Sequence, residues 1–326
     1  MSVAFLFPGQ GSQVPGMLRT LPDHPAIERT LDEVSEGLGA NVRELDSADA
    51  LQSTVSVQLA LFASGVAVGR ALFEEGIRPN AVAGLSIGAF AAAVQSGVVS
   101  LSDAVHLVQH RAERMVELYP KGYGLSAIVG LTEQRVSTLV GEAYTEQHPV
   151  FVSNINAPRQ IVIAGSNGGM NKVLEAALQS GAHKAERLQV SVPSHCPLLQ
   201  PVANSLREIL RTMHLQEPGI VYVGNVSARA LRTSEAIAED LASNIAHGVR
   251  WHDATTVLEE LGCRLFLEMP PGHVLSELAR EAFPDVRTLA IGETSFKHAL
   301  LASQSVNVAR PKEVAVPIEE ATTSAQ

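Results

Sequence analysis

The 326-residue sequence predicts an α/β protein in which a smaller α+β unit interrupts a larger core. Over about the first 120 residues, short apolar runs typical of buried strands alternate with helix-length segments. The predicted elements then follow the order β-α-β-β-α-β, and after them come further segments typical of the core. With 46% hydrophobic residues, a chain of this length can bury a large core.

The larger unit, a core with a parallel sheet, is predicted at residues 1–121 and 191–305. Apolar runs predict strands at 3–7, 81–85, 220–223 and 264–268. Periodic segments predict helices at 25–37, 52–73, 89–95 and 196–213, with further helices up to about residue 118.

The smaller unit is predicted at residues 122–190. Its strand-like runs at 125–131, 150–155, 160–164 and 183–190 and its helical patterns at 132–143 and 167–180 follow the ferredoxin-like order. Because this unit is inserted in the core, we expect a ligand cleft where the two meet. The last stretch, 309–326, has little apolar periodicity and is predicted to be a disordered tail.

Composition excludes several classes of function. The formal charge of −10 and the scattered Lys and Arg argue against non-specific nucleic-acid binding. No uninterrupted apolar run approaches the roughly 18 residues of a membrane span, and the N-terminus lacks an export-signal pattern. Cys196 and Cys263 have no CxxC spacing, so we expect a reducing, cytoplasmic location.

Residues 84–88, Gly-Leu-Ser-Ile-Gly, form the single Gly-x-Ser-x-Gly of the chain, between a predicted strand and a predicted helix. Small residues on either side of Ser86 allow the sharp turn of a nucleophile elbow, which exposes the serine Oγ for acyl transfer. The motif alone is weak, and a tight turn between a core strand and a core helix remains the alternative.

A serine nucleophile needs a general base, and His195 lies at the predicted return from the inserted unit. It could instead be a helix-start histidine capped by Ser194. The glycine-rich segment 7–13 follows the first strand, and Gln10 could supply an oxyanion amide there. A phosphate loop is disfavoured because Gly-Lys-Ser/Thr is missing, whereas a plain turn stays open.

Arg111 lies on the helix predicted after the elbow, where an inward guanidinium would need a partner such as a substrate carboxylate. A solvated arginine, or one paired within its helix, is the alternative and is favoured without other evidence. His106 and His110 have i,i+4 spacing, but no acidic third ligand is in view, so no metal site is predicted.

Taken together, the motifs resemble the malonyl-CoA:acyl carrier protein transacylase family over roughly residues 1 to 295. They are Phe7-Pro-Gly-Gln-Gly-Ser-Gln13, Gly84-Leu-Ser-Ile-Gly88, Arg111 with Met115, Asn154-Ile-Asn156 and Val192-Pro-Ser-His195, with Val249-Arg-Trp251 and Pro271-Gly272 where the family places them. Several separated motifs in the same order are far more specific than any one of them.

The resemblance implies a hydrolase-like core with a ferredoxin-like insert, Ser86 as the acylated nucleophile and His195 as its base. It also implies that the amides of Gln10 and Ile87 form the oxyanion hole and that Arg111 binds the malonyl carboxylate. The other substrate-binding residues implied are Gln58, Met115, Asn154, Asn156 and Asn244. Asn154 and Asn156 could instead be turn residues before Pro158. At Asn244 the family usually has Gln, with the backbone carbonyl orienting the histidine.

The family commonly has Gly-His-Ser-Leu-Gly-Glu-Tyr at the elbow, whereas this chain has Leu85 before Ser86 and Ala89-Phe90 after Gly88. With the segment 268–273, Glu-Met-Pro-Pro-Gly-His, these departures look like the epsilon subunit of biotin-independent malonate decarboxylase. The resemblance then implies other malonate decarboxylase subunits as partners. A malonyl transacylase of fatty acid or polyketide synthesis is the alternative.

The implied reaction moves malonyl from malonyl-CoA to the phosphopantetheine-type thiol of an acyl carrier protein subunit, through a malonyl-serine ester. The CoA thioester is the substrate, and no metal or redox cofactor is expected. An acyl-CoA thioesterase would use the same elbow and histidine, and a carrier-docking scaffold would need neither. No nucleic-acid or membrane partner is expected.

Overall fold

The computed structural model describes residues 2–308, which form two β-sheets and the helices packed on them. The predicted tail at 309–326 lies outside the described residues. The strands are β1 (Ser2–Phe7), β2 (Ala81–Gly84), β3 (Tyr123–Val129), β4 (Val150–Ala157), β5 (Gln160–Ser166), β6 (Lys184–Arg187), β7 (Val221–Val223), β8 (Ala230–Leu231), β9 (Cys263–Glu268) and β10 (Arg287–Ala290). The helices are α1 (Pro25–Leu38), α2 (Thr54–Glu74), α3 (Gly88–Gln95), α4 (Leu101–Leu118), α5 (Glu133–Ala143), α6 (Asn167–Gln179), α7 (Gln200–Thr212), α8 (Ser234–Ser243), α9 (Trp251–Glu260), α10 (Val274–Ala282) and α11 (Phe296–Val308).

The larger sheet has the order β10-β9-β1-β2-β7-β8, and every pair is parallel except β7 with β8. Side chains of β1 alternate between the two faces. Phe5 and Phe7 pack into the cluster that contains α2 and α3, whereas Ala4 and Leu6 pack into the one that contains α9 and α10. When helices cover both faces of a parallel sheet, each of its strands has a nearly continuous apolar sequence, as β1 does. The predicted α/β class is therefore confirmed.

Helix α2 is long and apolar enough to cross a membrane by length and composition alone. However, 83% of its most apolar window is buried within the protein. The core helix of a folded domain has the same composition, and α2 packs between α1, α3 and α4. Its burial accounts for its apolar sequence.

The smaller sheet has the order β4-β5-β3-β6, and all of its pairs are antiparallel. Helices α5 and α6 cover one face and enclose a separate apolar cluster. This is the ferredoxin-like arrangement that the sequence order predicts. A backbone link joins the insert to the core: the Ile155 N–H donates to the Val249 carbonyl at 2.8 Å, and the Val249 N–H donates to the Ser153 carbonyl at 2.8 Å.

Candidate active site

Ser86 lies at the carboxyl end of β2, on the turn that leads into α3. Its φ of 56° is left-handed, which is rare for a residue with a side chain and typical of strained functional turns. The flanking glycines are required by close approach. A Cβ on Gly84 would lie 2.1 Å from the Gly88 carbonyl, and one on Gly88 would lie 2.2 Å from the Phe7 oxygen. The structure thus has the strand-turn-helix geometry of a nucleophile elbow.

His195 reaches the elbow from the loop that returns from the insert, and it too has a left-handed φ, of 62°. Its backbone N–H donates to the Ile245 carbonyl at 2.7 Å, which holds this conformation. The ring Nδ1 lies 2.6 Å from the Asn244 carbonyl oxygen, and Nε2 lies 2.7 Å from the Ser86 Oγ. Because a carbonyl only accepts, Nδ1 carries the proton, and Nε2 is free to accept the proton of Ser86.

The environment of His195 keeps its ring neutral. Burial, with a smaller contribution from the nearby Arg111 charge, lowers the pKa of His195 to about 3, against the opposing effect of the Asn244 carbonyl. The ring is oriented by a carbonyl dipole where a serine protease triad uses a carboxylate. The pair is a neutral dyad whose base is unprotonated at pH 7.

Arg111, on α4, is buried beside the nucleophile and is only 1% exposed. Its Nη2 donates to the Ser86 Oγ at 3.1 Å and Nη1 donates to the Gln58 Oε1, while Nε has no partner among the described residues. Within residues 2–308 no carboxylate lies within 4.0 Å of its guanidinium. Burial lowers the pKa of Arg111 to about 9, so the side chain remains charged at neutral pH. The site therefore presents an unpaired cation next to the reacting oxygen.

The side-chain amide of Gln58 lies between Arg111 and Met115. Its Oε1 accepts from Arg111, and its Nε2 donates to the Met115 Sδ at 3.5 Å. Both Gln58 and Met115 are 1% exposed. Gln58 thus fixes the direction of the guanidinium without neutralising it.

The backbone amides predicted for the oxyanion hole both lie at the cavity. In the described part of the chain, the N–H groups of Gln10 and Ile87 form no hydrogen bond. The N–H of Ser86 itself is occupied, because it donates to the Asn225 Oδ1 at 3.0 Å. Two free amides close to the nucleophile are the arrangement that stabilises a tetrahedral oxyanion.

The cavity around Ser86 lies between the core and the insert, as expected from the sequence order. Its lining brings together most of the predicted residues with Leu125 and Val190 from the insert: Gly9, Gln10, Gln58, Leu85, Ser86, Ile87, Arg111, Met115, Asn154, Ser194 and His195. Asn154 is held at this wall by the Ser153 hydroxyl, which donates to its Oδ1 at 2.6 Å.

Two predicted substrate-binding residues do not line this cavity. Asn156 is absent from its walls, and its Oδ1 is buried with no partner in the described part of the chain. Residues i and i+2 of a regular strand share a face, but the pairing of β4 with β5 shifts register between Ile155 and Ala157. Asn244 lies behind His195 and contacts it through the backbone carbonyl. Both polar atoms of its side chain are buried and have no partner within residues 2–308.

His110, one of the two histidines with i,i+4 spacing on α4, contacts a serine of α7. The His110 Nε2 lies 2.7 Å from the Ser205 Oγ. Within residues 2–308 no group of three or more His, Cys, Asp or Glu side chains is placed to hold a metal ion.

Sequence reasoning missed one residue at the elbow. Asn225 follows β7 by two positions, and β7 is the neighbour of β2 in the sheet. A polar residue directly after a buried strand was the available signal, because carboxyl ends of parallel strands meet at one edge. The sequence predicts the strand at 220–223 and places Asn225 two positions after it.

A serine at an elbow, a neutral histidine beside it and two free amides, on an α/β core with a ferredoxin-like insert, form the arrangement typical of acyl-transfer enzymes with a serine nucleophile. The chain belongs to the acyl transferase domain family, whose model matches residues 4–301.

The chain is 35% identical to the malonyl CoA-acyl carrier protein transacylase of Bacillus subtilis (strain 168), over 89% of its own length and 93% of the relative's. It is 34% identical to the Escherichia coli (strain K12) protein of the same name, over 91% and 98%. Among solved structures, a type II PKS acyl-carrier protein in complex with its malonyl-transacylase, PlMCAT:AntF (holo), matches with a TM-score of 0.87 and 33% identity. That match covers 94% of this chain and 100% of the other.

Proposed function

We propose that this protein transfers the malonyl group of malonyl-CoA to the thiol of an acyl carrier protein, through a malonyl ester of Ser86. The observation that carries the proposal is the buried guanidinium of Arg111, which donates to the Ser86 Oγ at 3.1 Å and has no carboxylate partner among the described residues. A buried charge without a partner is costly, and the free carboxylate of a malonyl group would pair with it bidentately.

In the first half-reaction, the Nε2 of His195 takes the proton of Ser86 as Oγ attacks the thioester carbonyl. The amides of Gln10 and Ile87 stabilise the oxyanion. The carbon–sulfur bond then breaks, and the imidazolium returns its proton to the CoA thiolate. His195 is a weak base in this environment, so the proton is readily returned to the leaving sulfur.

In the second half-reaction, the carrier thiol enters the same cavity and gives its proton to His195. The thiolate attacks the malonyl ester, and Ser86 leaves with the proton from the imidazolium. Donor and acceptor use one site in turn, which is ping-pong kinetics. The protein's own residues suffice for both steps.

A polar groove adjoins the cavity and supports a long thiol arm as the shared part of both substrates. The groove shares Gln10 and Val190 with the cavity around Ser86 and continues past Tyr123 to Arg187. Arg187 is the one charged residue in its described lining, and its Nη2 donates to the neutral Asn167 Oδ1 at 2.6 Å. We assign the groove to the pantetheine arm and Arg187 to its phosphate.

For the pathway, we propose fatty acid or polyketide synthesis. The relatives named above are malonyl transacylases, and one solved neighbour is bound to a type II PKS acyl-carrier protein. The sequence-based preference for malonate decarboxylase rests on the elbow and the segment 268–273 alone. It has no support from these relatives.

Intact mass after brief incubation with malonyl-CoA tests the proposal, with acetyl-CoA and the Ser86→Ala variant in parallel. We expect one malonyl increment that is weak with acetyl-CoA, absent in the variant and discharged by a holo acyl carrier protein. Steady release of CoA without an adduct would indicate a thioesterase. Neither adduct nor CoA release would reject acyl transfer altogether.

A further inference from the structure

The side chain of Asn225 spans the nucleophile elbow. Its Oδ1 accepts the Ser86 N–H at 3.0 Å, and its Nδ2 donates to the Gly84 carbonyl at 2.8 Å. Asn225 is 2% exposed, so both bonds are shielded from water. One planar amide therefore ties the residue before Leu85 to the residue after it, across the sharpest part of the turn.

Asn225 is itself anchored by the buried carboxylate of Asp240. The Asn225 N–H donates to Asp240 Oδ1 and Oδ2 at 2.9 and 3.1 Å, and the Val226 N–H donates to Oδ1 at 3.1 Å. The Tyr222 hydroxyl donates to Oδ2 at 2.9 Å. A buried carboxylate with this many donors is fully satisfied, which makes the network rigid.

The same helix also orients the base. Asp240 lies in the last turn of α8, and the Asn244 N–H donates to the Asp240 carbonyl at 2.9 Å. The carbonyl of Asn244 in turn holds the Nδ1 of His195 at 2.6 Å. The end of α8 thus reaches Ser86 through Asn225 and His195 through Asn244, so one helix end sets the positions of both reacting groups.

We propose that Asn225 is a positioning residue that holds Ser86 in its left-handed conformation and aligns Oγ with His195. Two features require such a residue. The φ of 56° at Ser86 is unfavourable without external support. In a nucleophile elbow the amide after the serine faces the oxyanion, so the Ser86 N–H needs another acceptor, and Asn225 supplies it. The proposal rests on the acyl-Ser86 chemistry proposed above.

The test compares Asn225→Ala with Asn225→Asp, which keeps an acceptor for the Ser86 N–H but loses the donor to Gly84. The matched control is Asn80→Ala. The Asn80 Oδ1 accepts the Val3 N–H at 3.0 Å, next to the opposite end of β2, so this variant loses the same kind of bond away from the site. Circular dichroism and Tm establish that each variant is folded.

Two rates are measured in single turnovers. One is formation of malonyl-Ser86 at varied malonyl-CoA. The other is labelling of Ser86 by a neutral ethyl fluorophosphonate, in which the Oγ–P bond forms, fluoride leaves and the serine proton passes to His195. The phosphonate needs the aligned dyad but not Arg111.

We expect Asn225→Ala to slow both reactions by roughly 10- to 100-fold at an unchanged half-saturating malonyl-CoA concentration. Asn225→Asp should recover part of the rate, and Asn80→Ala should match the parent. Parent-like rates in folded Asn225→Ala would overturn the proposal. So would parent-like rates in Asn225→Asp if the alanine variant does not fold. Failure of malonylation in the parent, with phosphonate labelling intact, would reject the proposed substrate and leave the positioning role testable.

Discussion

The reacting groups and the recognition groups of this site are held in different ways. Ser86 and His195 lie on loops, and both have left-handed φ angles. The backbone N–H of Ser86 donates to Asn225, and backbone carbonyls hold both the N–H and the ring of His195. Arg111 and Gln58 lie within long core helices and are fixed by side-chain contacts to each other. Changes to the first set should therefore alter the rate of the chemical step, and changes to the second should alter which acyl group is accepted.

Removal of the base should have the largest effect. His195→Ala leaves Ser86 without a proton acceptor, so we expect malonyl-Ser86 formation to slow by about 1,000-fold or more, with half-saturation by malonyl-CoA little changed. Single-turnover mass spectrometry measures both quantities. A loss below about 10-fold would show that another group accepts the proton.

Removal of the Arg111 guanidinium should change the selectivity between acyl groups more than the intrinsic rate. Arg111→Ala deletes the partner of the malonyl carboxylate, an interaction of about 3 kcal/mol, so the preference for malonyl-CoA over acetyl-CoA should fall by about 100-fold. The ratio of kcat/KM values for the two thioesters is the measurement. A variant that keeps the full preference would separate Arg111 from the carboxylate.

The contrast between the two sets also explains how far sequence could predict the site. Ser86 and Arg111 belong to local patterns, a strand-turn-helix motif and a helix, so their positions follow from short stretches of chain. Asn225 supports Gly84 and Ser86, which are 139 or more positions away, and the Asp240 carboxylate accepts from groups 14 or more positions away. The local sequence gives one weak signal for Asn225, its position shortly after a predicted strand, and none for Asp240. The family resemblance places Asn156 at the pocket together with Asn154, and the register shift in β4 is not visible in the sequence.

The fold shows the same division between local and tertiary information. Helices α1, α2, α3, α5, α6 and α7 and the strands of six or more residues were predicted within about four positions of their observed ends. Helices α8 to α11 were not predicted. The two-residue β8 and the four-residue β10 were not predicted, since runs so short carry no periodicity and exist through pairing with β7 and β9.

The pH dependence of the chemical step sharpens the distinction further. A lowered pKa means that the neutral, proton-accepting form of His195 persists to lower pH than in free histidine. With the pKa at about 3, kcat/KM for acylation should change less than 2-fold between pH 7.5 and 5. An ordinary histidine with a pKa near 6.5 would lose about 30-fold. A midpoint close to 6.5 would contradict the buried, neutral dyad.

A smaller effect is expected at the far end of the groove, where recognition involves the carrier arm and not the acyl group. Arg187→Ala should raise KM for malonyl-CoA by about 10-fold and leave KM for malonyl-N-acetylcysteamine, which lacks the phosphate, unchanged. Lys184→Ala is the matched control, because Lys184 lies on the same strand and is paired with Glu186 at 2.6 Å. Equal losses with both thioesters would assign Arg187 to stability.

The smallest effect is expected from Asn244→Ala, which removes the side chain and keeps the backbone carbonyl. Its carbonyl orients His195, but its side-chain Oδ1 and Nδ2 are buried without partners among the residues that the structure describes. Asn244→Ala keeps the carbonyl and removes two unsatisfied polar groups, so acylation should stay within about 3-fold of the parent and Tm should not fall by more than a few degrees. Asn225→Ala, which removes an amide whose Oδ1 and Nδ2 are both hydrogen-bonded, provides the comparison. If the two variants lose similar amounts of activity, the Asn244 side chain takes part in the reaction, and the alignment of His195 does not depend on the backbone alone.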